Sequence, residues 1–253
     1  MGLAAVDIGN TSINLLVWDD NDEVKFKRHG AFRSIADIIP FFNEIGVRNV
    51  AYSTTRDLND EEQLLVKDKG WWKVTADSVL PIKLEYATPE TLGLDRLMAA
   101  TAVSDMFPGE EVMIADAGTA LTLDFISAEG CFRGGNISAG LSMRLRALHD
   151  YTSRLPMVES LVDNEGNVGK NTTQAIQYGA VWGVAYEIAG TLAFARKNYG
   201  CSKLLVAGGD SLFLMKFIRQ AVDLLVPGKV ELVLKEDVVA YGLKIAYEFN
   251  HDK

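Results

Sequence analysis

The 253-residue sequence contains only two cysteines, and this scarcity excludes two classes of protein. Cys131 and Cys201 lie far apart, and neither belongs to a Cys-x-x-Cys pair or stands beside a histidine. A zinc site needs several such ligands at short spacings, and a disulfide-rich fold needs more cysteines. We therefore expect two buried thiols in a reducing cytoplasm.

The sequence also lacks an excess of positive charge and a long apolar run. With 25 Lys and Arg against 34 Asp and Glu, the formal net charge is −9, which disfavours binding to nucleic-acid phosphates. The longest apolar stretch, residues 178–195, contains Glu187 among many small residues, which favours burial over a membrane span. The first residues have no basic and apolar regions of a secretory signal. We expect a cytoplasmic protein with no nucleic-acid or membrane partner.

Two similar turns divide the sequence into halves. Asp7-Ile8-Gly9-Asn10-Thr11 ends one predicted strand, and Asp116-Ala117-Gly118-Thr119 ends another after the break at Pro108-Gly109. Each turn returns into a second apolar strand, so the pattern of strands and helices starts twice. The sequence therefore predicts two duplicated α/β domains, residues 1–109 and 110–253, with a cleft between them.

A strand end that carries Asp, then Gly, then Thr offers three groups to a nucleotide. The carboxylate can hold Mg²⁺, the glycine lets the backbone approach a phosphate, and the hydroxyl adds a donor. An ordinary hairpin turn explains either motif alone equally well. Two such turns at matched positions favour the nucleotide interpretation.

Two other glycine-rich segments do not match known phosphate-binding motifs. Residues 166–171 resemble a P-loop but lack its first glycine and its final Ser or Thr. Gly208-Gly209-Asp210 lacks the third glycine of a dinucleotide fingerprint. This second segment is either a sharp turn beside an adenosine or a plain structural turn.

Phosphoryl transfer also requires a group that orients or deprotonates the acceptor hydroxyl. None of the three histidines stands beside a motif, so a carboxylate is the better candidate. Asp95 lies near the start of a predicted helix over residues 92–106, where a solvated carboxylate is ordinarily favourable. Arg96 beside it is suited to a forked contact with a substrate carboxylate.

Residues 7–11, 93–96, 116–120 and 171–176 together resemble the type III pantothenate kinases. These enzymes belong to the actin-like, hexokinase-like ATPase superfamily, whose members have two ribonuclease-H-like domains with a nucleotide cleft between them. The resemblance implies ATP-dependent phosphorylation of pantothenate to 4′-phosphopantothenate, the first step of coenzyme A biosynthesis. It also implies a homodimer with the substrate site near its interface. The small residues of the predicted helix 172–198 suit such an interface, although burial within one subunit explains them equally well.

The resemblance also implies roles for individual residues. Asp95 is expected to accept the proton, Asp7 to lie near Mg²⁺, and Asp116 to bind a monovalent cation, potassium or ammonium. The expected ATP and phosphate contacts are Asp7, Ile8, Gly9, Asn10, Thr11, Ser12, Ile13, Asn14 and Thr119. The expected substrate contacts are Tyr86, Gly93, Leu94, Asp95, Arg96 and Thr172. Asn136 and Ala139 depart from the usual family residues, and we expect them to alter a loop over the nucleotide.

Two alternative functions remain open from the sequence. One is another kinase of the same superfamily acting on a sugar or other small alcohol, which leaves the segment from Tyr86 to Arg96 unexplained. The other is a non-catalytic ATP-binding regulator on the same fold. The presence of Asp7, Asp95 and Asp116 disfavours the regulator.

Overall fold

The computed structural model describes residues 2–9, 13–75, 77–158 and 166–251. Contacts within the chain define two compact units. Unit 1 comprises Met1–Pro108, Gly130–Phe132 and Asp237–Lys253, and unit 2 comprises Gly109–Glu129 and Arg133–Glu236. The main division therefore falls at Pro108, where the sequence pattern restarts.

Unit 1 is built on a five-stranded sheet with the order β3-β2-β1-β4-β5. Its strands are β1 (Leu3–Ile8), β2 (Ile13–Trp18), β3 (Val24–Phe32), β4 (Asn49–Thr54) and β5 (Trp72–Lys73). β1 runs antiparallel to β2 and parallel to β4, so it occupies the centre of the sheet. The apolar side chains of β1, β2 and β4 form the core of this unit.

Three helices of unit 1 follow from local sequence signals. They are α1 (Ile35–Ile45), α2 (Asp60–Asp68) and α3 (Leu94–Met106). α1 begins at a capping box between Ser34 and Asp37 and ends at Gly46, whose φ of 68° is the left-handed conformation that glycine adopts easily. α3 coincides with the predicted helix to within two residues, and its residues 96–103 are all buried.

Unit 2 repeats the same topology. Its strands are β7 (Val112–Ala117), β8 (Ala120–Ile126), β9 (Cys131–Ala139), β10 (Lys203–Ala207) and β11 (Glu231–Leu234), in the order β11-β10-β7-β8-β9. A short strand, β6 (Lys83–Leu84), pairs with the first two residues of β9, which belong to unit 1. In both units the first strand lies antiparallel to the second and parallel to the fourth. The predicted duplication and the two-domain α/β fold are therefore confirmed.

The helices of unit 2 are α4 (Leu141–Asp150), α5 (Thr172–Tyr199) and α6 (Ser211–Leu225). α5 buries one face in the core of the unit, including Ala180 and Ala189, and leaves Gly179, Gly190 and Phe194 exposed. The expectation that burial within one subunit explains the small residues of α5 therefore holds for one of its faces. Cys131 and Cys201 are both buried thiols that form no disulfide, as expected.

The last helix, α7 (Val238–His251), belongs to unit 1. A Cβ atom at Gly242 would overlap the carbonyl oxygen of Met98, so α7 and α3 touch backbone to backbone. Lys244 forms an ion pair with Asp22 at 2.9 Å, which links α7 to the turn between β2 and β3. The predicted domain 110–253 therefore differs from unit 2 in its last segment.

Within the part of the chain that the structure describes, no helix combines the length and apolarity needed to cross a membrane.

Candidate active site

Asp7 is the fifth residue of β1 and lies between polar partners on both neighbouring strands. It stands opposite Asn14 on β2 and opposite Ser53 on β4. The Ser53 hydroxyl donates a hydrogen bond to Asp7 Oδ1 at 3.0 Å, and the Asn14 side chain also hydrogen bonds to Asp7. The Asn14 amide is itself fixed, because its Oδ1 accepts a hydrogen bond from the backbone N–H of Gly30 at 3.1 Å.

The surroundings of Asp7 disfavour its negative charge. The pKa of Asp7 is raised from its usual 3.8 to about 6, mainly by burial and to a smaller extent by the negative charge of Asp95. The hydrogen bonds from Ser53 and Asn14 lower the pKa in the opposite direction. A cation at this carboxylate would offset both unfavourable effects.

The ligand atoms around Asp7 suit a hard cation such as Mg²⁺. The carboxylate offers two oxygen ligands, and the side chains that contact it are a hydroxyl and an amide, with no sulfur or imidazole among them. Across the described residues, no group of three or more His, Cys, Asp or Glu side chains could hold a metal ion. An ion here would thus depend on oxygen atoms from a bound ligand or from water, as Mg²⁺ in phosphate sites usually does.

Asp95 lies in the first turn of α3 and interacts electrostatically with Asp7. Its Oδ1 accepts a hydrogen bond from the backbone N–H of Arg96 at 2.8 Å. A Cβ atom at Gly93 would lie only 2.5 Å from the same oxygen, so the Asp95 carboxylate needs glycine at this position. The structure therefore brings two of the predicted site residues together in unit 1.

Arg96 is buried in an aromatic frame. Its guanidinium carbon lies 5.9 Å from the ring centroid of Tyr86 and 5.6 Å from that of Phe132. The two rings are themselves 5.7 Å apart. This arrangement restricts the guanidinium by cation–π contacts. Phe132 is a component that the sequence did not suggest, because a phenylalanine in an apolar strand carries no local signal of a site.

Asp116 occupies in unit 2 the position that Asp7 occupies in unit 1. It is the fifth residue of β7, opposite Thr122 on β8 and Ala207 on β10. Gly208, which follows Ala207 at the end of β10, has a φ of 86°. A Cβ atom at Gly208 would overlap Asp116 Oδ1 and the Ala117 carbonyl oxygen. The Gly208 turn therefore lies directly against the strand end that carries Asp116.

The start of α6 adds two polar groups to this region of unit 2. The backbone N–H of Asp210 donates to the Ala117 carbonyl oxygen at 3.0 Å, and burial raises the pKa of the Asp210 carboxyl. The hydroxyl of Ser211, the first residue of α6, is buried and has no hydrogen-bond partner among the described residues. Asp210 and Ser211 were not among the predicted site residues, although the Gly-Gly-Asp turn before a helix was a visible signal.

The other predicted site residues have varied positions. Asn10, Thr11 and Ser12 lie outside the described residues. Ile8 and Ile13 face each other across β1 and β2 and are buried in the core of unit 1, while Gly9 and Leu94 are half-buried. Thr119 and Thr172, both in unit 2, are exposed.

Asn136 and Ala139 lie within β9, which ends at Ala139. Their effect on a loop over the nucleotide stays a prediction. The carbonyl oxygen of Ala139 accepts a hydrogen bond from Arg144 Nε at 2.8 Å.

Comparison with known families gives one assignment. The sequence model of the type III pantothenate kinases matches residues 3–193. A type III pantothenate kinase of Porphyromonas gingivalis is 34% identical over 253 residues, covering 94% of this chain and 99% of the relative. A type III pantothenate kinase of Bacteroides fragilis is 36% identical over 212 residues, covering 81% of this chain and 84% of the relative.

Solved structures resemble the fold at low sequence identity. A candidate 2-dehydro-3-deoxygalactonokinase from Sinorhizobium meliloti aligns with a TM-score of 0.57 at 11% identity, covering 99% of this chain and 100% of that one. The activator of the 2-hydroxyisocaproyl-CoA dehydratase from Clostridium difficile, solved with bound ADPNP, aligns with a TM-score of 0.52 at 9% identity. It covers 99% of this chain and 97% of that one. These likenesses concern the fold alone.

Proposed function

The chain belongs to the type III pantothenate kinase family, whose members phosphorylate pantothenate with ATP in coenzyme A biosynthesis, and we propose that Asp95 is the general base of this reaction. The observation that carries the proposal is the electrostatic interaction of Asp95 with Asp7 beside the framed Arg96. One end of α3 thus presents a proton acceptor and a cationic group next to a strand-end carboxylate.

Asp95 accepts the proton of the pantothenate hydroxyl as the phosphoryl group arrives. A neutral hydroxyl is a poor nucleophile, and a positioned general base typically accelerates such a step by about 10²–10⁴-fold. The hydrogen bond from the Arg96 N–H orients the carboxylate, and the absence of a Cβ atom at Gly93 leaves room for it in that orientation. This fixed orientation supports a role in proton transfer rather than a merely solvated charge.

Arg96 binds the carboxylate of pantothenate. A guanidinium recognises a carboxylate through two parallel hydrogen bonds, and its contacts with Tyr86 and Phe132 limit its motion. Gly93 and Leu94, which precede Asp95, and Thr172 at the start of α5 are the further substrate contacts of this proposal.

Asp7 holds Mg²⁺ together with the ATP phosphates, which residues 8–14 and Thr119 also contact. When bound at Asp7, Mg²⁺ would supply positive charge to offset the negative charge of the transferring phosphate. The oxygen-rich surroundings of Asp7 and the unfavourable energy of its charge support this assignment.

Asp116 binds a monovalent cation, potassium or ammonium. Its strand-end position matches that of Asp7, but its register partner on β10, Ala207, has no polar side-chain atom. A monovalent cation there would supply positive charge beside the carboxylate.

A homodimer is the assembly that the exposed face of α5 suits. Gly179 and Gly190 have no atom within 4 Å of an added Cβ atom, so this face leaves room for close helix packing. Ala180 and Ala189, by contrast, are buried within unit 2, and a bulky residue there would disrupt the core instead. Gly190→Trp is therefore the substitution to compare with the native chain by light scattering.

The scarcity of cysteine and the net charge of −9 support a cytoplasmic location without nucleic-acid or membrane partners.

A coupled ADP-release assay with a panel of alcohols tests the choice of substrate. We expect turnover with pantothenate and none above background with hexoses, hexosamines or glycerol. Preferential turnover of a sugar would favour the alternative kinase. ATP binding without turnover of any alcohol would favour a non-catalytic regulator.

A further inference from the structure

Ser53 is a fully buried polar residue on the central part of the unit 1 sheet. It stands opposite Asp7 in the parallel pairing of β1 and β4, and its hydroxyl donates to Asp7 Oδ1 at 3.0 Å. A carboxylate accepts hydrogen bonds and a serine hydroxyl can donate one, so this contact is strongest when Asp7 is ionised.

The second copy of the same topology shows that the fold does not require a hydroxyl at this position. Asp116 lies opposite Ala207 in the parallel pairing of β7 and β10, at the register position that corresponds to Ser53. The β1–β4 and β7–β10 pairs are both formed. β1 and β7 also have the same burial pattern, in which the aspartate is partly exposed and the other five residues are buried. The hydroxyl of Ser53 therefore acts on the carboxylate and not on the sheet.

We propose that Ser53 is a positioning residue that holds the Asp7 carboxylate in the orientation needed to bind a divalent cation. This inference rests on the proposed role of Asp7 as a Mg²⁺ ligand. Ser53 and Asn14 contact the carboxylate from opposite neighbouring strands, so the side chain has little freedom to rotate. A ligand that is already oriented loses less conformational entropy when the ion binds. Substitution of a residue that orients a metal ligand typically weakens metal affinity by about 10–100-fold.

The test is a titration of the purified chain with Mn²⁺ in the presence of ADP, with bound Mn²⁺ measured by electron paramagnetic resonance. We expect Ser53→Ala to weaken Mn²⁺ binding by about 10–100-fold. In Ser53→Ala, most of the lost kcat should return at saturating Mg²⁺, because excess cation restores occupancy of the Asp7 site, and the KM for pantothenate should change less than the Mn²⁺ affinity. Ser127→Ala is the matched control, since Ser127 is also a buried serine but lies at the far end of β8 in unit 2.

Asp7→Asn separates this inference from the proposed function on which it rests. Weaker Mn²⁺ binding in Asp7→Asn together with native binding in Ser53→Ala would overturn the role of Ser53 alone. Native binding in Asp7→Asn would overturn the assignment of Asp7, and the role of Ser53 with it. Should Ser53→Ala fold poorly, Ser53→Cys has the same branching with a slightly larger atom and a much weaker donor, and it should show the same loss of Mn²⁺ affinity.

Discussion

Asp7 and Asp116 occupy the same position in two copies of one topology, yet their neighbours differ. The Asp7 carboxylate accepts hydrogen bonds from the side chains of Ser53 and Asn14 and lies near the negative charge of Asp95. Asp116 faces Ala207 across the sheet and is covered by the Gly208 turn. The duplication thus fixes where each carboxylate lies, and the residues on adjoining strands and turns determine what each carboxylate can bind.

The difference extends to how each unit maintains its strand end. In unit 1, the side chains of Ser53 and Asn14 do so through hydrogen bonds to Asp7. In unit 2, glycines pack closely against the strand end. Cβ atoms at Gly140 and Gly208 would overlap the backbone of residues 117–119. Asp7 and Asp116 should therefore respond differently to the same substitution.

The largest expected effect is that of Asp95→Asn on turnover. Asparagine preserves the size of the side chain and one oxygen but cannot take up a proton, so we expect kcat to fall by about 10²–10⁴-fold. Binding of Mg·ATP should change little. Asp105→Asn, at an exposed position of the same helix, is the matched control and should turn over normally. Near-native kcat in a folded Asp95→Asn variant would refute the role of Asp95 as base.

Asp7→Asn should stabilise the metal-free protein, and more so at pH 8 than at pH 5. The folded-state pKa of Asp7 is about 6, against a usual value of 3.8, so ionised Asp7 opposes folding. This penalty is absent below about pH 4 and fully present above about pH 6. It amounts to about 2–3 kcal/mol at neutral pH. Thermal melting in EDTA at the two pH values measures it, and an equal shift at both would contradict the pKa.

Gly208→Ala should destabilise unit 2 by about 1–3 kcal/mol, because φ is positive and the methyl group would meet the Asp116 strand end. We expect the melting temperature of Gly208→Ala to be several degrees below that of the native chain. Gly209→Ala is the control, since its added Cβ atom has no neighbour within 4 Å and its φ is not positive. Equal melting temperatures for the two variants would contradict the close approach at Gly208.

The smallest expected effect is that of Asp116→Asn on cation preference. The native chain should turn over several times faster in potassium than in sodium. Asp116→Asn should show equal, low rates in both buffers, whereas Ser53→Ala should keep the preference. Equal rates for the native chain in sodium and potassium would remove the evidence for a monovalent ion at Asp116.

The sequence predicted the parts of this fold that depend on local signals. The Asp-x-Gly turns, the boundary at Pro108 and the helix that ends at Gly46 all follow from residue patterns within a short window. The partner of α7 could not be predicted, because amphipathicity shows that a helix is buried on one face but not which sheet it covers. Ser53 and Phe132 were missed for a related reason. Strand register and a distant chain segment bring them to Asp7 and Arg96, and nothing beside them in the sequence records either contact.

The most direct test of the account is mass-spectrometric detection of 4′-phosphopantothenate made by the purified chain. Reactions contain ATP, Mg²⁺ and pantothenate in potassium buffer, with Asp95→Asn run in parallel. We predict that the native chain forms phosphopantothenate and ADP in equal amounts and that Asp95→Asn forms about 10²–10⁴-fold less product per unit time. A folded native chain that binds ATP yet makes no phosphopantothenate, or an Asp95→Asn variant that makes it at the native rate, would contradict the account.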